Sequence, residues 1–97
     1  MARRKQQIQA LAQMFRILGD PSRLQIVMTL GEGERNVTQL CRKLRMSQPT
    51  VSRHLGILKM SSMAEARRCG KEIHYSLPNR VRRTLKYLID RGVGLIK

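Results

Sequence analysis

The stretch Ser47-Gln48-Pro49-Thr50-Val51-Ser52-Arg53-His54-Leu55-Gly56-Ile57-Leu58-Lys59 decides the fold. Ser47 is placed to cap a helix, because its hydroxyl accepts from the free N–H groups of a first turn. Pro49 fits that turn, where a missing N–H costs no hydrogen bond. Val51, Leu55 and Leu58 then recur at helical spacing and form an inward stripe. Gln48, Thr50, Ser52, Arg53 and Lys59 occupy the remaining face. One side of this helix is therefore built for a core and the other for a polar surface.

The segment before it reads as a shorter partner helix. Asn36 and Gln39 have the spacing of a reciprocal capping pair, and Val37, Leu40, Cys41 and Leu44 fall at i, i+3, i+4 and i+7. It stops near Arg45 or Met46. Upstream, Asp20-Pro21 starts a helix whose apolar face is Leu24, Val27 and Leu30, with Ile26 and Met28 beside it, closed by Gly31 and Gly33. A first helix from about Arg4 to Leu18 carries Ile8, Leu11, Phe15 and Leu18 and ends at Gly19. Downstream the period changes to two. Met63 to Arg68 and Glu72 to Leu77 read as strands around Cys69-Gly70, with Ile73, Tyr75 and Leu77 facing the core. Gly70 supplies the positive φ of a tight hairpin. Pro78-Asn79 starts a last helix with Val81, Leu85, Leu88 and Ile89 as its apolar positions, and Gly92 and Gly94 predict a fraying end. The order ααααββα, mainly α with a small β-hairpin (α+β), is that of a winged helix-turn-helix.

Composition narrows the partner. The 97 residues predict one domain, 1–97, and hold 20 Lys and Arg against 6 Asp and Glu, a net charge of +14. A small domain this basic answers to a polyanion. No apolar run approaches the roughly 18 residues of a membrane span, and no apolar stretch follows the basic start Met1–Gln7, so neither a membrane partner nor a secretory signal is expected. Two cysteines are too few for a disulfide framework and suit a reducing, cytoplasmic setting. From Arg35 through Ala64 there is no acid, while Arg35, Arg42, Lys43, Arg45, Arg53 and Lys59 are basic, which predicts a phosphate-facing surface there.

These residues resemble the ArsR/SmtB family of bacterial and archaeal repressors. The similar strings are F-R-I-L-G-D-P-S-R-L-Q-I-V from Phe15, V-T-Q-L-C-R-K-L from Val37, S-Q-P-T-V-S-R-H-L from Ser47 and A-R-R-C-G-K-E-I-H-Y-S-L from Ala66, in family order over roughly residues 10 to 80. The resemblance implies a homodimer built by the first and last helices, and DNA binding, usually repression relieved by an inducer. The inducer is not legible. Many members carry a C-x-C pair in the third helix, where this chain has Asn36–Leu40 without cysteine; Cys41 stands where a small core residue is usual. Others hold zinc through Asp, His and Glu of the last helices, where Val81–Lys97 offers only Asp90 and no His. Neither metal site transfers, and no cofactor is expected.

Double-stranded DNA is the expected partner. A helix fits the major groove, whose base edges display a readable pattern. Gln48 and Thr50 lie at the helix end that points at bases. Arg53 suits guanine or a phosphate; Ser47, Ser52 and Lys59 suit phosphates. His54 matches the family's recognition-helix histidine and either contacts phosphate or packs at the helix edge. Arg67, Arg68 and Lys71 are expected at the tip of the wing. Arg3, Arg4 and Lys5 form a second basic cluster, a DNA-reaching arm or a solvated terminus. Cys41 reads as core and Cys69 as an exposed turn residue whose basic neighbours favour thiolate, leaving a thiol-responsive repressor as one alternative. A sequence-neutral DNA-compacting or RNA-binding protein is another, although three aromatic residues are few for stacking on single strands. Enzymatic chemistry is excluded by the absence of a Ser–His–acid set, paired carboxylates or a phosphate-binding glycine loop.

Overall fold

A computed structural model describes residues 2–92. In chain order the elements are α1 (Ala2–Leu18), α2 (Pro21–Glu32), β1 (Arg35–Asn36), α3 (Val37–Leu44), α4 (Gln48–Met60), β2 (Glu65–Cys69), β3 (Glu72–Ser76), α5 (Asn79–Tyr87) and a π-helical turn, Leu88–Gly92. The helix starts follow from their caps. The Asp20 carboxylate accepts from the N–H groups of Ser22 at 2.8 Å and Arg23 at 3.1 Å. Asn36 accepts from Gln39 N–H at 2.8 Å, and the Gln39 side chain accepts in return from Asn36 N–H at 2.9 Å. Ser47 Oγ accepts from Thr50 N–H at 3.4 Å. Arg45 turns the chain between α3 and α4 in the left-handed region, φ 55° and ψ 44°.

The core is one cluster drawn from every helix. Ile26, Val27 and Leu30 of α2, Leu40 of α3, and Val51, Leu55 and Leu58 of α4 are its deepest residues, joined by Ile17, Met63, Ala64, Leu77, Val81 and Leu85. Cys41 packs against it, half-buried. The sheet has strand order β1-β3-β2, all antiparallel. Ala66 lies opposite Tyr75, Arg67 opposite His74, and Cys69 opposite Glu72. Gly70 and Lys71 make the hairpin turn, with Gly70 at φ 66° as a two-residue turn requires.

Several expectations need correction. Strand β1 was not anticipated; two residues carry no readable period, and the strand exists only because β3 pairs with it. Helix α2 runs through Gly31, and only Gly33 acts as a cap, donating to Leu30 O at 3.2 Å. Of the α1 stripe only Leu18 packs against the core; Ile8, Leu11 and Phe15 stay exposed, and Ile17, outside the stripe, is the buried residue of this helix. Ile73 is also exposed, because it lies near the hairpin tip beyond the reach of the helices, whereas Leu77 is buried. Leu88 and Ile89 are exposed within the π-helical turn. Gly92 ends that turn, and Gly94 lies outside the described residues.

Leu30 is fully buried at the centre of this cluster. Leu30→Ala should therefore lose about 2–5 kcal/mol of stability, measured by urea denaturation with an unchanged m-value.

Candidate nucleic-acid interface

Helix α4 is held by its apolar side and offers its polar side to solvent. Val51, His54, Leu55 and Leu58 are buried, and Ser47, Gln48, Ser52, Arg53 and Lys59 are exposed. Thr50 is half-buried, and its Oγ1 accepts from Ser47 Oγ at 2.9 Å, so this pair is occupied with the helix start. Pro49, Arg53, Gly56 and Met60 follow one another along the outward ridge, all exposed.

His54 does not face outward. It is 5% exposed and its Nδ1 accepts from Arg23 Nη1 at 3.5 Å. The same guanidinium donates through Nε to Ile17 O at 2.8 Å and lies 3.9 Å from Asp20. Of the two readings left open for His54, packing is the one found: it ties α4 to the end of α1 and the start of α2.

The hairpin divides by face. Its alternation sends Ala66 and Tyr75 towards the core and Arg67 and His74 to the opposite side. Arg68 and Lys71 are exposed, with no acidic partner among the described residues. Arg67 is not at the tip. It sits mid-strand and donates to Glu34, Nη2 to Oε1 at 2.6 Å and Nε to Oε2 at 3.4 Å. A groove of about 360 Å³ runs between the hairpin and the helices, lined by Thr38, Ser52, Lys71, Ile73 and Tyr75 among others.

The acids sort the cations. Glu32 takes Lys43 at 2.8 Å and Arg35 at 3.7 Å, so two of the six bases in the acid-free segment are internally paired. The Lys43 hydrogen bond holds the Glu32 carboxyl below the usual glutamate range, and the Arg67 hydrogen bond does the same for Glu34. The Asp20 carboxyl is lowered chiefly by the Arg23 N–H it caps. Among the described residues, Arg42, Arg45, Arg53 and Lys59 have no carboxylate partner, like the wing cations Arg68 and Lys71.

Sequence reasoning missed Gly56. A Cβ built there meets nothing within 4 Å, so no neighbour within the described chain requires glycine. A glycine inside a helix costs about 1 kcal/mol relative to alanine, and that unexplained cost on an outward ridge was the available signal.

A second surface is apolar. Ile8, Leu11 and Phe15 on α1 and Tyr87, Leu88 and Ile89 at the other end of the chain are exposed. Among the described residues, no group of three or more His, Cys, Asp or Glu is arranged to hold a metal ion, and no helix is long and apolar enough to cross a membrane. Cys69 is exposed on the hairpin.

Comparison with known proteins identifies the family and the fold. The family model described as "Bacterial regulatory protein, arsR family" matches residues 20–66, from the Asp20 cap into the wing. The arsenical resistance operon repressor of Escherichia coli K12 is 43% identical over 81 residues, 82% of this chain and 69% of that protein. The chain belongs to the arsR family. A biofilm growth-associated repressor of Xylella fastidiosa is 42% identical over 67 residues; the match spans 69% of this chain and 59% of that protein. The solution structure of a possible ArsR-family regulator from Mycobacterium bovis, described as a homodimeric winged helix-turn-helix DNA-binding domain, superposes with a TM-score of 0.80. It is 28% identical, over 96% of this chain and 90% of that one. The arsR family is one of DNA-binding transcriptional regulators and not of enzymes, and the winged helix-turn-helix expected from the residue pattern is the fold found.

The depressed carboxyls set an acid limit. Groups with lowered folded pKa values stabilise fully above their unfolded values and lose that contribution as pH falls through the folded ones. The Tm should hold between about pH 7 and 5 and fall below about pH 4. In an NMR titration the Glu32 carboxyl should take its proton at lower pH in the wild type than in Lys43→Gln; equal titration curves for the two proteins would contradict the pairing.

Proposed function

We propose that this arsR-family chain is a sequence-specific repressor that binds an inverted-repeat operator as a homodimer, carrying its DNA-reading and dimer-forming surfaces on one domain. The observation that carries the reading is the division of α4: an apolar side locked in the core and an exposed side, Gln48, Ser52, Arg53 and Lys59, free of carboxylates. Set in the major groove, Gln48 pairs with adenine and Arg53 with guanine or a phosphate. Ser47, Ser52 and Lys59 grip the backbone, and Thr50 supports the helix start. Arg68 and Lys71 hold the flanking strand from the wing. Gly56 lets the backbone of α4 lie close to the DNA. His54 and Arg67 leave the contact set, the first buried and the second paired with Glu34.

The dimer reading rests on the exposed stripe Ile8, Leu11 and Phe15 together with Tyr87, Leu88 and Ile89. It is supported by the M. bovis relative, described as homodimeric. Two subunits would present their α4 helices about 34 Å apart, one turn of duplex. A regulator acting on DNA in this way works in the cytoplasm.

Selection from a random duplex pool should return one inverted-repeat motif that outcompetes mixed-sequence DNA at physiological salt. Equal competition would replace this reading with sequence-neutral DNA compaction. Four of the exposed cations of each subunit, Arg53, Lys59, Arg68 and Lys71, are assigned here to phosphates, which gives an expected slope of about −7 for log affinity against log salt in the dimer.

Phe15→Glu should sediment as a monomer and lose about 10²-fold or more in operator affinity as the second half-site is forfeited. Gly56→Ala should gain about 0.5–1 kcal/mol of stability while binding operator more weakly. A stabilised variant with unchanged affinity would remove the close approach at Gly56.

A further inference from the structure

Glu34 lies in the connection between α2 and β1, outside the surface assigned above to DNA. Its carboxylate reaches across the sheet. Both oxygens accept from the Arg67 guanidinium, at 2.6 and 3.4 Å. Oε1 lies 3.4 Å from His74 Nδ1, and the other ring nitrogen of His74 lies 3.1 Å from Glu72 Oε1. Arg67 and His74 are direct cross-strand partners, so one carboxylate grips both strands of the hairpin at the same rung. A planar guanidinium facing a carboxylate through two N–H groups is fixed in orientation as well as charge. The pairing lowers the Glu34 carboxyl and raises the Arg67 guanidinium, so the ion pair persists at neutral pH.

The hairpin needs such a tie. Its backbone connection to the helical body is the two-residue β1, which pairs with β3 at Arg35–Tyr75 and Asn36–His74, and its far end carries the exposed Ile73 with no core behind it. The tie also falls on one side. Tyr75 faces the helices and the groove that holds Ser52, whereas Arg67 and His74 face away from it.

We infer that Glu34 is a positioning residue of the wing: it holds Arg67 and His74 on the side away from α4 and keeps Arg67 from acting as a phosphate contact. The inference rests on the DNA-binding reading above and assigns a role within it to a residue that touches no DNA.

The test is a set of salt titrations on a mixed-sequence 20-base-pair duplex. Arg67→Gln should keep the wild-type slope of log affinity against log salt, because this cation neutralises no phosphate. Arg67→Lys, which keeps a charge opposite Glu34, should keep it too. Glu34→Gln should steepen the slope by about 0.9 per subunit as the released guanidinium finds a phosphate, and Glu34→Gln with Arg67→Gln should return it to the wild-type value. Amide exchange in β2 and β3 should quicken in both single Gln variants, while their unchanged helical circular dichroism shows that the body is folded. A slope flattened by about 0.9 in Arg67→Gln alone would make Arg67 a direct contact and overturn the inference. So would a Glu34→Gln slope equal to wild type. A wild-type chain whose binding shows no salt dependence would instead overturn the DNA-binding reading itself, which distinguishes the two failures.

Discussion

Burial of Val51, Leu55 and Leu58 in the same cluster as Ile26, Leu30 and Leu40 is the constraint on which the rest of the molecule depends. Each such side chain contributes about 1.5–3 kcal/mol when taken from water, and the direction of that force is as consequential as its size. It fixes the rotation of α4 about its own axis, and with it the side on which Ser52, Arg53 and Lys59 emerge. His54 adds a polar stop on the same buried side. It meets Arg23, which is itself held by Ile17 O and Asp20, so the end of α1, the cap of α2 and the middle of α4 meet at one guanidinium.

The few acids then decide what the many bases can do. Asp20 is spent on a helix cap, Glu32 on Lys43 and Arg35, and Glu34 on Arg67 and His74. These are exposed or half-exposed pairs, and isolated surface pairs add little stability in water. Their larger consequence is selection. Where a carboxylate is within reach, a cation becomes part of the frame; where none is found among the described residues, as at Arg53, Lys59, Arg68 and Lys71, it keeps its charge for an outside partner. The net charge of +14 overstates what one surface offers to DNA, and the positions of the acids show by how much.

The parts of this arrangement legible in the sequence were those governed by local rules. Caps at Asp20, Asn36 and Ser47, the apolar stripes of α3 and α4, and the glycine turn of the hairpin each depend on residues within a few positions of one another, and each is where the pattern put it; in α2, Ile26, Val27 and Leu30 are buried as read, whereas Met28 is exposed. What escaped were contacts between distant residues. Nothing near Arg67 in the chain announces that Glu34, thirty-three residues earlier, will neutralise it. Helical spacing puts His54 close to the inward stripe of Val51, Leu55 and Leu58, but only the position of Arg23 shows what receives the ring. Strand β1 is too short for any period to show. The α1 stripe was read correctly as apolar and helical, yet periodicity alone does not tell whether an apolar face is covered by the same chain or by another.

That ambiguity carries the last step. An uncovered stripe of Ile8, Leu11 and Phe15 belongs to a chain whose net charge should drive copies apart. At physiological salt the repulsion between separated charges is screened beyond about 8 Å, so it is soft and acts over the whole surface. Burial of aromatic and branched side chains acts at contact and is worth about 25 cal/mol per Å². In the proposed dimer the second effect has to exceed the first, and it does so with less margin at low salt. A duplex changes the balance from outside: its phosphates neutralise the cations of both subunits at once, lowering the repulsion that opposes their meeting. Binding that removes a cost of assembly must, by linkage, favour the assembled form. In the proposed dimer, assembly and DNA binding are then two faces of one equilibrium, joined by the excess charge of each subunit.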